Sequence, residues 1–140
     1  MQLLIGCWIV QLVLAQAMPS PWWVPDLIVA GLIVAVIRQP SRWMTLSVMA
    51  SLCQALWALR APGQLMGSYL AVGGVTAVVH TRWDLTDRRL QLLLVMAASV
   101  MMTGVGFWLD EVWSAPIIAA ALLRLGLTVI SLAVITQINL

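Results

Sequence analysis

The chain has 140 residues, 63% of them apolar and 9% charged, with a mean hydropathy of +1.03 and a formal net charge of +2. Soluble domains carry about 25% charged residues, so this chain lacks the polar groups to cover a water-facing surface and reads as an integral membrane protein. All seven basic residues are arginines in isolated positions or pairs rather than in a stripe, which excludes nucleic acid as the expected partner.

Polar residues and Pro/Gly breaks divide the chain into six apolar stretches, roughly 2–18, 24–38, 43–59, 65–81, 90–109 and 115–138. No linker or low-complexity tract separates them, which predicts one all-α domain over 1–140, a polytopic bundle of six transmembrane helices. A spanning helix needs about 20 residues, with roughly 17 as a lower limit.

The first stretch contains Ala15-Gln16-Ala17, which imitates a signal-peptide cleavage site, but no basic segment precedes it; a retained first span is expected. The second is short. Between Asp26 and Arg38 lie eleven residues, about 17 Å of helix. It crosses a bilayer only if Trp22 and Trp23 extend it at one interface and Arg38 snorkels at the other; a re-entrant segment is the alternative. Pro25 suits an early helical position, and Asp26 is expected at the outer face beside free helical N–H groups.

In the third stretch Ser47, Ser51 and Gln54 recur at i, i+4 and i+7, a polar stripe on one helical face. Cys53 there and Cys7 in the first stretch lack the closely spaced ligands of a zinc site or disulfide framework and read as small buried apolar residues. The fourth stretch holds two small-xxx-small pairs, Gly67/Ala71 and Gly73/Ala77, suited either to internal packing or to another subunit's helix. It ends at His80, the chain's one histidine and an expected interfacial residue.

The following loop, HTRWDLTDRR (80–89), is the most polar part of the chain. Asp84 and Thr86 can accept hydrogen bonds from free N–H groups where the fifth helix begins. Trp83 fits an interfacial aromatic belt, and Arg82, Arg88 and Arg89 would each gain about 1 kcal/mol beside anionic headgroups. A docking site is the other reading of this loop.

In the sixth stretch Arg124 lies about 13 Å inside the helix by its rise. A charge at that depth costs about 2.5–3.5 kcal/mol on insertion scales and faces protein or water. Thr128 and Ser131 follow on the same face, and Gln54 lies at comparable depth. Either these residues line a polar pocket that receives a ligand or a partner's acid, or they pack helices together while Arg124 reaches Asp26, Asp110 or Glu111.

Six spans place Arg38, Arg42, Arg82, Arg88 and Arg89 on one side and Arg60 on the other, with Asp26, Asp110 and Glu111. This asymmetry predicts that both termini are cytoplasmic. Membrane enzymes need recognisable parts, such as paired intramembrane aspartates, a Ser/His pair or H-E-x-x-H. The chain has none of these, so a non-enzymatic protein without cofactor or metal is expected.

The segments QAMPSPWW, PDLIVAGLIVAVIRQPSRW and SLCQALWALRAPGQLMGSYLAVGGVTAVV, covering roughly residues 10–95, resemble MreD, the six-span rod-shape-determining proteins of bacteria. The similarity lies in the entry to the second span at Pro25, Asp26 and Leu27, in the basic turn at Arg38 and Arg42, and in a third span closed by a Gly-containing outer loop. Where that family commonly has Gln-Asp, this chain has Gln54-Ala55. The resemblance implies an inner-membrane scaffold in the cell-elongation, peptidoglycan-synthesis complex, partnering MreC and the peptidoglycan synthases in a hetero-oligomer. Two further classes stay open: a substrate-binding component of a small-molecule uptake transporter, and an accessory subunit of a respiratory or photosynthetic complex. The uptake reading needs a pocket of converging polar groups, whereas a scaffold fits a side-chain-filled interior.

Overall fold

The computed structural model describes residues 1–19, 24–58, 62–85, 87–110 and 115–138, and all regular structure among them is helical. Helix α1 runs Gln2–Ala17, α2 Leu27–Arg38, α3 Trp43–Ala58, α4 Pro62–Arg82, α5 Arg88–Asp110 and α6 Ala115–Ile138, with one 3-10 turn, Pro40–Arg42, between α2 and α3. Each helix coincides with one of the apolar stretches, since a helix satisfies its backbone polar groups internally where side chains offer no partners. Arg88–Val105 in α5 and Ile118–Ile135 in α6 are long and apolar enough to cross a membrane. Trp22, Trp23, Arg60, Thr86 and Glu111, and the side chain of Asp110, lie outside the described residues.

The short second stretch is the centre of the molecule. Every residue from Val24 to Val36 is buried, and α2 touches each of the other five helices. Its sequence, LIVAGLIVAVIR, is apolar all round, as an enclosed helix must be. One hydrophobic cluster built around it draws on Leu4 of α1, Leu46 and Ala50 of α3, Tyr69 and Val72 of α4, Val95 of α5 and Leu132 of α6.

The helix begins later than expected. Asp26 has φ −85° and ψ 68°, the central position of an inverse γ-turn, and the Leu27 N–H donates to the Pro25 carbonyl at 3.0 Å. Pro25 therefore precedes the helix instead of occupying its first turn. Pro25 and Asp26, expected at the outer end of the second span, are both buried inside the bundle. The Asp26 N–H meets the Thr128 hydroxyl at 2.8 Å, thirteen residues after the start of α6 at Ala115, so α2 starts well inside the point where α6 starts. At its other end the Gln39 N–H donates to the Ala35 carbonyl at 3.0 Å, and Pro40 pushes Gln39 out of the helical region.

Two close approaches hold the neighbours against this core. A Cβ on Gly31 would lie 2.8 Å from the Cys7 sulfur, so α1 packs there without a side chain between. A Cβ on Gly73 would overlap the Ser47 hydroxyl, and one on Gly74 would meet the Trp43 ring at 3.4 Å, which seats α4 on α3. These contacts set the α3 N-terminus beside the second half of α4, so Arg42 and Arg82 lie toward one end of the molecule, both exposed.

The two small-residue pairs of α4 separate. Gly73 is buried and Ala77 packs against the core, while Gly67 and Ala71 are exposed. Six residues at 100° each turn one pair about 120° from the other. At the head of α5, the Asp87 carboxylate accepts the Arg89 N–H at 3.0 Å. The loop before it is tied down by Leu85, which is fully buried and whose carbonyl accepts from the Gln91 side chain at 2.6 Å.

Replacing Gly73 with leucine is expected to destabilise the protein by about 1–3 kcal/mol through overpacking. Gly67→Leu, with nothing within 4 Å of its added Cβ, should leave the melting temperature near that of the parent. Thermal unfolding of the detergent-solubilised protein, followed by circular dichroism, compares the two.

Candidate functional site

The N-terminal end of α2 brings an acidic side chain and several free backbone donors into an apolar interior, and three helices answer them. Arg124 of α6 donates through Nη2 to Asp26 Oδ2 at 3.2 Å, with the two side chains 14% and 5% exposed. The Asp26 N–H donates to Thr128 Oγ1 at 2.8 Å, and that hydroxyl donates in turn to the Arg124 carbonyl at 2.9 Å. From α1, Gln11 accepts the Ile28 N–H through Oε1 at 3.2 Å. The Gln11 amide then donates through Nε2 to Gln54 Oε1 of α3 at 3.3 Å. Gln11 and Thr128 are fully buried, and Gln54 nearly so.

Tyr69 of α4 completes the surroundings. Its phenol is fully buried and has no hydrogen-bond partner among the described residues. Residues from α1, α3 and α6 therefore bond around one turn of α2 backbone.

The polar stripes divide here. Gln54, Arg124 and Thr128 join the cluster around Asp26, whereas Ser47, Ser51 and Ser131 turn their hydroxyls back onto their own helices. Ser47 donates to the Trp43 carbonyl, Ser51 to Val48 and Ser131 to Leu127, each at 2.8 Å. Such back-bonding removes the polarity of a hydroxyl without a second helix. Thr76, fully buried on α4, does the same with Val72 at 2.7 Å.

Asp26 is the described carboxylate that takes Arg124. Gln11 and Tyr69 are the members that sequence reasoning missed. Gln11 left a signal, a lone amide inside WIVQLVL, and Tyr69 is the chain's one tyrosine. Arg82, the last residue of α4, and Arg88 and Arg89, the first two of α5, are exposed on either side of the loop between these helices. His80 is half-buried on α4, about 16 Å along the helix from Tyr69 by its rise. Cys7 and Cys53 are free thiols, and among the described residues no three His, Cys, Asp or Glu side chains come together.

One positive and one negative group cancel, and the amides and hydroxyl around them bond to one another and to α2. Compared with known proteins, the chain matches no family model, no curated protein and no solved structure.

Arg124→Leu leaves Asp26 buried without its counter-charge and should cost about 3–5 kcal/mol. Removing both charges, as Asp26→Leu with Arg124→Leu, should recover a large part of that loss, read from chemical unfolding of single and double variants. Thr128→Val orphans the Asp26 N–H and is expected to cost about 1–3 kcal/mol. Thr128→Ser keeps the hydroxyl and should stay close to the parent in the same measurement.

Proposed function

We propose that the protein is a non-enzymatic, six-span membrane scaffold subunit that works through contacts with partner membrane proteins, in the manner of MreD in the bacterial cell-elongation complex. The observation that carries this reading is the direction of the polar groups. The cluster of Gln11, Asp26, Gln54, Arg124 and Thr128 bonds largely to itself and to α2. The outward faces are apolar, with Val13, Met44, Val75, Leu93, Leu122 and Ile130 among the exposed side chains. In the two membrane-length windows of α5 and α6, 22% and 17% of the residues are buried. Lipid and partner helices are the surroundings that suit such a surface.

Six passes are compatible with a twelve-residue α2 because the length requirement applies to surface that lipid touches. The other helices enclose α2, and protein-buried backbone at membrane depth needs no match to the bilayer. Exposed Gly67 and Ala71 on α4, with Gly104 on α5 and Gly126 on α6, offer places where a partner's helix can approach closely. Exposed Arg42, Arg82, Arg88 and Arg89, together with Arg38, favour the cytoplasmic side and its anionic lipids. On this reading the protein resides in the bacterial inner membrane with both termini inside, and its partners are an MreC-like protein and peptidoglycan synthases.

Co-purification from native membranes in mild detergent tests the assignment. Peptidoglycan synthases should accompany the parent protein, and a Gly67→Leu, Ala71→Leu variant should lose them while remaining monodisperse. Recovery of transporter ATPases or electron carriers instead would overturn the reading. Topology reporters at either terminus should both report the cytoplasm.

A further inference from the structure

We propose that the lipid leaflet around the end of the bundle where α2 begins is stepped, thinner by about 6–9 Å beside α1 and α3 than beside α6. The polar cluster marks one level across these helices. The Ile28 N–H meets Gln11 Oε1 at 3.2 Å, the Gln11 amide meets Gln54 Oε1 at 3.3 Å, and the Asp26 N–H meets Thr128 Oγ1 at 2.8 Å. Cys7 of α1 lies against Gly31 of α2, so these two helices are antiparallel and α1 ends beyond that level. Helix α3 follows α2 through one 3-10 turn and runs back beside it. Leu132 and Ile135 of α6 pack on the core around α2, so α6 runs with α2 and its first half lies beyond the level as well.

The helices continue past the level by different lengths. Helix α1 stops at Ala17, six residues after Gln11, where Met18 is extended, a rise of about 9 Å. Helix α3 stops at Ala58, four residues after Gln54, about 6 Å. The membrane-length window of α6 instead begins at Ile118, ten residues before Thr128, about 15 Å. Ile118, Leu122 and Leu123 in that part are exposed. Tilt does not remove the difference. Spans lean by up to about 40°, and at that angle the apolar surface of α6 still stands about 11 Å past the level. A flat leaflet would bare Ile118 to water or sink the ends of α1 and α3 into hydrocarbon, where the last carbonyls of a helix find no partner. A leaflet thinned beside the short helices avoids both. Val13 and Leu56 are exposed on that flank, so acyl chains are the occupant, and short ones fit it best.

The inference rests on the membrane part of the proposed function and not on the scaffold role. Val13, Leu56 and Gly126 are all exposed and each lies two residues, about 3 Å, past the level. The experiment uses the unsubstituted full chain, labelled with nitrogen-15, in nanodiscs of dioleoyl phosphatidylcholine that carry a trace of lipid with a gadolinium chelate on its headgroup. Paramagnetic relaxation at the three backbone amides is compared. A stepped leaflet brings headgroups about 6–9 Å nearer to Val13 and Leu56, which should relax several-fold faster than Gly126. Equal rates at the three, with Ile118, Leu122 and Leu123 protected from a water-soluble chelate, overturn the step and leave the membrane reading standing. If that soluble chelate reaches those three as strongly as it reaches exposed Trp83, α6 is not in lipid, and both readings fall.

Discussion

An apolar helix enclosed on every side creates a problem at its own beginning, where backbone N–H groups have no partner within the helix. In water such a start is hydrated. Helix α2 begins inside the bundle, beside Thr128 of α6, and the surrounding helices supply what water would. Gln11 takes the Ile28 N–H, Thr128 takes the Asp26 N–H, and the γ-turn at Asp26 absorbs the Leu27 N–H within the chain. Asp26 adds negative charge where the helix dipole favours it, and Arg124 cancels the net charge that burial would penalise. Each of these groups comes from a different part of the sequence, so satisfying one turn of backbone joins α1 and α6 to α2, and α3 through Gln54.

That arrangement explains why the remaining surface is so apolar. With Arg124 turned inward and the serines of α3 and α6 bonded to their own carbonyls, few polar groups remain for the lateral faces. The arginines that stay exposed collect at the turns, at Arg42 and across the α4–α5 loop. Such a molecule is polar at its core and one end, and greasy around its sides. The scaffold function proposed above would use that combination, with internal polar bonds holding the helices and the flanks left for contact.

Much of this was legible beforehand. The six apolar stretches became six helices because uninterrupted apolar sequence leaves the backbone to pair with itself. Arg124 stood out because a charge so deep must have a partner, and Asp26 was one of three acids that could serve. The two small-residue pairs of α4 were also visible, and their six-residue offset already placed them on different faces. What that offset could not show is which face meets the core. Gly73 is inside because Ser47 and Trp43 come to it, and those residues belong to another helix.

The sequence by itself determined the helical class, the helix boundaries to within a few residues and the need to compensate a buried arginine. All of these follow from local pattern and from the cost of placing polar groups among apolar ones. Only the tertiary structure decided that the shortest helix is the central one. It also decided that Asp26 is buried rather than displayed, and that Gln11 and Tyr69 belong with Arg124. Those outcomes depend on contacts between residues far apart in the chain, and no local pattern records which helix another will enclose.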